Sequence, residues 1–337
     1  MEAFRLIDLG RVDPGRAQAF AESVAAAVAR GRSPPTILVA QSSRPSISLG
    51  FHQSGSVEVD RGFCRRHGVP VLRRVTGGGM IWLDPDQLLY TVVYPPGGTI
   101  PAGPPAFPLL LEAPLGMLRS MGVRARLRAP SDLVVHGRKI AGNAGGESEG
   151  ASIVQGVLLL RANVRAMAGM MRSPHPGFRS VLAQEMARHI TSVEQETGRA
   201  VGRGLHHRLV HAFRSAPGLR VRDGRPTPFE LRHFREVVRP ALRSRVAPVR
   251  TPGPTVATAR VRRVRVAGER YVEAWREAGS SGELWIVVRR FGRAVEAFRA
   301  GVGAGRRRAR TPVPVGPEQL PDDVRWGTPS PRAPSGG

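Results

Sequence analysis

The sequence predicts an α+β protein: a mixed β-sheet core with flanking helices, followed by a small C-terminal β-rich unit. Three observations lead there. Strand-length apolar runs such as Leu88-Leu-Tyr-Thr-Val-Val-Tyr94 are interspersed with helical stretches, but without the strict strand–helix–strand rhythm of a parallel α/β fold. A Pro-rich stretch, Pro240 to Pro254, has the composition of a linker. Beyond it, Arg260-Val-Arg-Arg-Val-Arg-Val266 and Glu283-Leu-Trp-Ile-Val-Val-Arg289 alternate as strands do.

Taken in order, Ala17 to Arg30 predicts an Ala-rich helix closed by Gly31 and the Pro34-Pro35 break. Thr36–Ala40 and Ser46–Gly50 predict strands, and Val57–His67 a helix stopped by Gly68. The strand Val69–Arg73 runs straight into Arg74-Val-Thr-Gly-Gly-Gly79. Pro95 to Pro108 is a Pro/Gly-rich loop of the length that marks a lid or binding loop. A helix over Leu109–Met121, disturbed by Pro114, precedes a strand pair turning at Gly137; Gln155–Leu160 is a further strand. Helices are predicted over Val164–Met171, Val181–His189, Leu205–Phe213 and Pro228–Val238, and a short one over Arg293–Ala300. The expected organisation is a catalytic-sized domain over 1–240, a β-rich unit over 255–302, and a disordered Arg/Pro/Gly tail over 303–337.

At 337 residues and 41% apolar content the chain can bury a sizeable core, and no apolar run is long enough to span a membrane. The start, Met1-Glu-Ala-Phe-Arg-Leu-Ile-Asp, lacks the layout of a signal peptide. The single cysteine, Cys64, excludes an intramolecular disulfide and a cysteine-based structural zinc site. A cytoplasmic location is therefore expected. The formal charge of +25 favours acidic partners. No aromatic-rich strand or helix-turn-helix signal accompanies it, so nucleic acid is not the expected partner and most of the charge reads as solvated surface.

One stretch stands out, Pro130-Ser-Asp-Leu-Val-Val-His-Gly-Arg-Lys-Ile-Ala-Gly-Asn-Ala144. Of the 51 basic side chains, Lys139 is the only lysine; the rest are arginine. An ammonium is a compact point charge that fits between crowded anions where a planar guanidinium does not. A lysine kept at this one place, beside a Gly-Asn bend, marks a task that needs the small cation, or else chance survival on a solvated hairpin.

The second stretch is the glycine block. With 40 glycines in the chain, chance supplies roughly 0.6 Gly triplets, so Gly77, Gly78 and Gly79 gain meaning only from their neighbours. Those are Arg73 and Arg74 before them, Thr76, and Asp84 just after. An Arg pair, a cradle without Cβ atoms and a carboxylate suit an anionic ligand. Asp132, seven residues before Lys139, either presents a carboxylate to a Mg²⁺ or caps a local turn.

The blocks Arg73-Arg-Val-Thr-Gly-Gly-Gly-Met-Ile-Trp-Leu-Asp84, Ser131-Asp-Leu-Val-Val-His-Gly-Arg-Lys-Ile-Ala-Gly-Asn-Ala144 and Gln155-Gly156 resemble the signatures of the lipoate–protein ligase A family, within the biotin/lipoyl ligase and octanoyltransferase group. Pro45–Gln53, Glu58–Asp60, His67–Val71 and Thr191–Arg199 resemble its flanks, so the likeness spans about Thr36 to Val238. The resemblance implies a biotin/lipoyl ligase-like fold in which lipoate (or octanoate) and ATP, with Mg²⁺, form an acyl-adenylate. The acyl group then passes to a lysine of a lipoyl carrier domain of the 2-oxoacid dehydrogenase E2 or glycine-cleavage H-protein type. It implies that Lys139 contacts the carboxylate and the α-phosphate. Arg73, Arg74, Thr76, Gly77, Gly78, Gly79, Asp84, Gly142, Asn143, Ala144, Gln155 and Gly156 would line the acyl and phosphate site, with Asp132 near the metal and phosphates.

Two departures stand against a full match. Leu83 occupies the place of the family's usual His before Asp84. The octanoyltransferase relatives carry a nucleophilic cysteine at about position 126, where this chain has Arg126. The alternatives to an ATP-dependent ligase are an ATP-independent octanoyl or lipoyl transferase of the same fold, or an Arg-rich nucleic-acid-binding protein.

Overall fold

A computed structural model describes residues 3–200, 202, 204–244, 258–277, 283–301 and 312–326. The chain divides into two units. The first comprises Met1–Glu58, Gly62–Asn163 and Thr191–Pro248; the second comprises Val59–Arg61, Val164–Ile190 and Val249–Gly337.

In the first unit the strands are β1 (Ala3–Val12), β2 (Thr36–Ser42), β3 (Ser46–Leu49), β4 (Val71–Arg73), β5 (Ile81–Leu83), β6 (Gln87–Tyr94), β7 (Arg126–Arg128), β8 (Asp132–Val135), β9 (Arg138–Ser148), β10 (Ala151–Leu159) and β11 (Arg220–Asp223). The main sheet has the order β11-β1-β2-β6-β10-β9-β8-β7. β1 runs parallel to β11 and β2, and the remaining neighbours are antiparallel. A small sheet, β4-β3-β5, carries Arg73 at the end of β4. The expected α+β class with a mixed sheet is thus the one the chain forms.

The sheet is covered on both faces, which is why β6 reads as a continuous apolar run. Successive side chains point to opposite sides. Leu88, Tyr90, Val92 and Tyr94 enter one core with Leu118, Leu209 and Phe213 from the helices Glu112–Ser120 and Gly204–Arg214. Val93 joins the other core, with Phe20, Val24 and Val28 of the helix Pro14–Ala29. Each fully buried side chain of this size contributes about 1.5–3 kcal/mol. The helix Pro14–Ala29 starts earlier than its Ala-rich pattern predicts because Asp13 accepts the N–H of Gly15 and Pro14 is pre-set for the first turn. The helix expected over Val57–His67 is broken into Gly55–Glu58 and Arg61–His67.

The second unit holds an antiparallel sheet of β12 (Thr258–Ala267), β13 (Arg270–Glu277), β14 (Glu283–Arg290), β15 (Arg293–Gly301) and β16 (Val313–Val315), in chain order. The helix expected over Arg293–Ala300 is strand β15. Phe291 and Gly292 both take positive φ, 49° and 79°, in a two-residue turn that folds β15 back onto β14. That pairing overrides the helical preference of three alanines. The tail expected to be disordered carries β16 and the helix Asp322–Trp326, and Leu320 and Val324 pack against Trp275 and Val287. Composition hid these few apolar anchors among Pro, Gly and Arg. Residues 302–311 and 327–337, and most of the predicted linker, lie outside the described residues. The unit also takes in the helix Pro176–His189, whose buried Glu185 accepts from Arg270 of β13 at 3.0 Å. Composition drew a boundary at residue 240, whereas packing groups 164–190 with the C-terminal strands.

Candidate active site

Strands β8 and β9 bring Asp132 and Lys139 together. Leu133 pairs with Ala141 but Val134 pairs with Lys139, so Ile140 is an extra residue in β9. A bulge of this kind bends the strand and re-aims neighbouring side chains. Lys139 Nζ reaches Oδ1 of Asp132 at 2.7 Å. It lies over Gly142, where a Cβ would stand 2.7 Å from Nζ and 2.8 Å from Cε. Arg128 of β7 donates to Oδ2 of the same carboxylate at 3.0 Å. Burial pushes the Asp132 carboxyl up, yet the Lys139 and Arg128 charges and hydrogen bonds outweigh it and hold it below the usual carboxylate range. The Lys139 side chain remains 29% exposed.

The glycine block is built from within. Arg74 is buried and directs its donors to backbone carbonyls and one hydroxyl: Nη1 to the Ser48 carbonyl and hydroxyl, Nη2 to the carbonyls of Gly77 and Gly79 at 2.6 and 2.8 Å. Burial lowers its pKa to about 10. Arg73 donates to the carbonyls of Gly50 and Phe51 at 2.9 and 2.8 Å. Arg74 thus braces the turn from within, and Arg73 Nη1 ties to the backbone that follows β3. Gly78 has φ +87°, and a Cβ on Gly50 would stand 1.9 Å from its carbonyl oxygen. The turn lies along β9: a Cβ on Gly146 would meet Thr76 Cα at 3.1 Å, and Gly77 N–H points at the Gly145 carbonyl, 3.4 Å away.

Behind the lysine, Asn143 donates from its amide to the Ser131 carbonyl at 2.7 Å and accepts the Tyr90 hydroxyl at 2.5 Å. Burial pushes the Tyr90 phenol up, against the Asn143 bond, so it stays a donor. Gly156 faces both, and a Cβ there would stand 2.2 Å from each. Gln155 accepts from Thr76 Oγ1 and donates to the Gln18 carbonyl at 3.0 Å. Ala144 pairs with Gln155 across the sheet and is the side chain nearest Gly78 along β9. Asp84 is spent locally: it accepts from Trp82 Nε1 at 2.7 Å and from the Asp86 N–H at 2.9 Å, and burial pushes its carboxyl up against both bonds.

The expected residues thus fall into three groups. Lys139, Asp132 and Gly142 form an ionic centre. Thr76, Gly77, Gly78 and Gly79 form a turn braced by Arg73 and Arg74. Asn143, Ala144, Gln155 and Gly156 form the frame behind them. Sequence reasoning missed Arg128, Ser48, Gly50 and Tyr90. Arg128 is one arginine among fifty, Ser48 and Gly50 lie in the flank Pro45–Gln53 without a role assigned to them, and Tyr90 reads as an ordinary strand residue. A Mg²⁺ does not fit at Asp132 as the site is built, because that carboxylate already faces two cations. Among the described residues no group of three or more His, Cys, Asp or Glu could hold a metal.

A bulged lysine hairpin beside a braced glycine turn, on a mixed sheet covered by helices, defines an α+β domain of the kind seen in solved lipoate ligases. The fold is similar to an archaeal bipartite lipoate protein ligase from Thermoplasma acidophilum, described with its E2 lipoyl domain (TM-score 0.60, 22% identity, 71% of this chain and 93% of that one). It is also similar to a lipoate–protein ligase A bound with ATP (TM-score 0.56, 21% identity, 71% and 95%). Residues 13–211 match the lipoyl protein ligase A/B catalytic domain, and the chain belongs to that family. It is 30% identical over 262 residues to the octanoyltransferase LipM of Symbiobacterium thermophilum, covering 70% of this chain and 94% of the relative. It is 27% identical over 234 residues to LipM of Moorella thermoacetica, covering 63% and 85%. Lipoate-protein ligase A subunit 1 of T. acidophilum is 25% identical over 158 residues, covering 44% and 60%.

Proposed function

We propose that this chain activates lipoate or octanoate with ATP and transfers the acyl group to a lysine of a lipoyl carrier domain. The acid's carboxylate attacks the α-phosphate, forming an acyl-adenylate and releasing pyrophosphate. The carrier amine then displaces AMP to form the amide, losing a proton. Attack of one anion on another needs a cation held where charge accumulates. Lys139, fixed against Asp132 and partly exposed, supplies it. The backbone of the glycine turn lets the ligand approach without Cβ obstruction. No step is assigned to a metal at Asp132.

The observation that carries the ATP-dependent reading is the absence of a thiol from the lysine hairpin. Position 126 is an exposed arginine on β7, and the sole cysteine, Cys64, is buried on the helix Arg61–His67. A covalent thioester needs a nucleophile within attack distance of the acyl carbon. The second reading, an ATP-independent octanoyl or lipoyl transferase, is favoured by the LipM relatives. One experiment separates them: mass spectrometry of a lipoyl domain incubated with the enzyme and either free acid plus ATP or an octanoyl-carrier thioester without ATP. Modification only with free acid and ATP supports the ligase. Modification from the thioester alone overturns it.

A further inference from the structure

The bulge that re-aims Lys139 is held from outside the hairpin. The Lys139 carbonyl accepts the backbone N–H of Thr191 at 2.8 Å. On the neighbouring residue, Arg138 donates to Oε1 of Glu196 at 2.8 Å. That same carboxylate oxygen accepts the Thr191 hydroxyl at 2.5 Å. Thr191 is fully buried and the Glu196 side chain is 9% exposed. The segment is itself anchored. Ser192 accepts the Gln195 N–H, which starts the helix Val193–Thr197, and Glu194 N–H donates to the Leu160 carbonyl at 3.0 Å, just beyond β10.

Adjacent residues of a strand project to opposite faces, so holding Arg138 on one side and the carbonyl of residue 139 fixes the strand's rotation at that residue. With Ile140 an unpaired extra residue, the β8 ladder holds this point less firmly than a regular strand would. We propose that Thr191 and Glu196 form a positioning clasp that keeps Lys139 aimed at Asp132 across Gly142. They are positioning residues, acting through the backbone of 138–139 and touching no reacting atom. The inference rests on the reading of Lys139 as the residue that meets the reacting anions, but its geometry is measurable without turnover.

Because Lys139 is the chain's sole lysine, growth on 15Nζ-lysine labels one side-chain ammonium. Its NMR signal reports this ion pair directly. Asp132→Asn sets the reference position for an ammonium without its carboxylate. Glu196→Gln and Arg138→Ala are each expected to move the signal at least half-way toward that reference while circular dichroism and melting show a folded chain. Glu196→Gln is also expected to lower kcat on the order of 10-fold with the carrier KM unchanged, as for a displaced catalytic group. Should Glu196→Gln unfold the chain, the near-isosteric Thr191→Val, which removes one donor to Glu196, carries the same measurement. A signal that moves in Asp132→Asn but stays put in the folded clasp variants overturns the clasp. A signal that moves as expected while Lys139→Arg keeps full turnover upholds the clasp and overturns the role of Lys139.

Discussion

Lys139, the chain's sole lysine, is proposed to carry the charge that the reaction needs. Nζ sits 2.7 Å from Asp132 Oδ1, over a Gly142 whose Cβ would stand 2.7 Å from it, and a planar fork is a different shape from the compact ammonium placed there. Lys139→Arg keeps the charge and is expected to lose on the order of 10²-fold in kcat. Near-normal turnover in a steady-state assay would sink the role. Asp132 yields a pH prediction. Its carboxyl is held below the usual range in the folded chain, so in acid the unfolded chain binds more protons. The stability it contributes is present above about pH 4 and is lost as pH falls through the folded value. The Tm gap between the parent and Asp132→Asn is therefore expected to be wide near neutrality and to close in acid. A gap independent of pH would mean that the ion pair contributes nothing.

At the scale of an element, the glycine turn and β3 interlock. Gly50 follows β3 directly, and a Cβ there would drive into the Gly78 carbonyl, a backbone group that cannot swing aside. Gly50→Ala is expected to destabilise the chain by about 1–3 kcal/mol, the usual range for overpacking, and to weaken binding of the acid. A Cβ on Gly77 has nothing within 4 Å, so Gly77→Ala should leave the fold's stability unchanged. Thermal melting of the two variants tests the contrast, and equal losses would show that the turn is not held by β3. Thr76 and Gln155 extend the same brace to the β10 frame, so the turn and the lysine hairpin share one scaffold.

For the whole molecule, the division into units determines where the chain can be cut. The helix Pro176–His189 packs with β12 and β13, and its Glu185, 1% exposed, is paired with Arg270. Truncation at Pro248 removes Arg270 and leaves a buried carboxylate with less compensation and an apolar helix face uncovered. The truncated chain is expected to give less soluble protein and a lower Tm than the full chain. Equal yield and Tm would show that residues 164–190 belong energetically to the first unit. The charge of +25 acts at this scale too, steering acidic partners in a salt-dependent way, while the site itself uses very few of these cations.

Local periodicity and composition were enough to determine the α+β class, the buried strand Gln87–Tyr94, the isolated lysine and the glycine triplet, because each rests on residues close together in the chain. Family likeness added which of these blocks belong to one site. Tertiary structure alone decided which partner each of these residues meets. Arg73 and Arg74 read as anion binders, and the fold brings the carbonyls of Gly50 and Phe51 to Arg73 Nη1 and those of Ser48, Gly77 and Gly79 to Arg74. Asp84 looked like part of the cradle and is tied to Trp82. Strand β15 was written in helix-forming residues and became a strand because a two-residue turn placed it against β14. The common reason is that a donor, a carboxylate or a weak propensity is satisfied by whichever partner the fold brings within about 3 Å, and that partner often lies dozens of residues away in sequence.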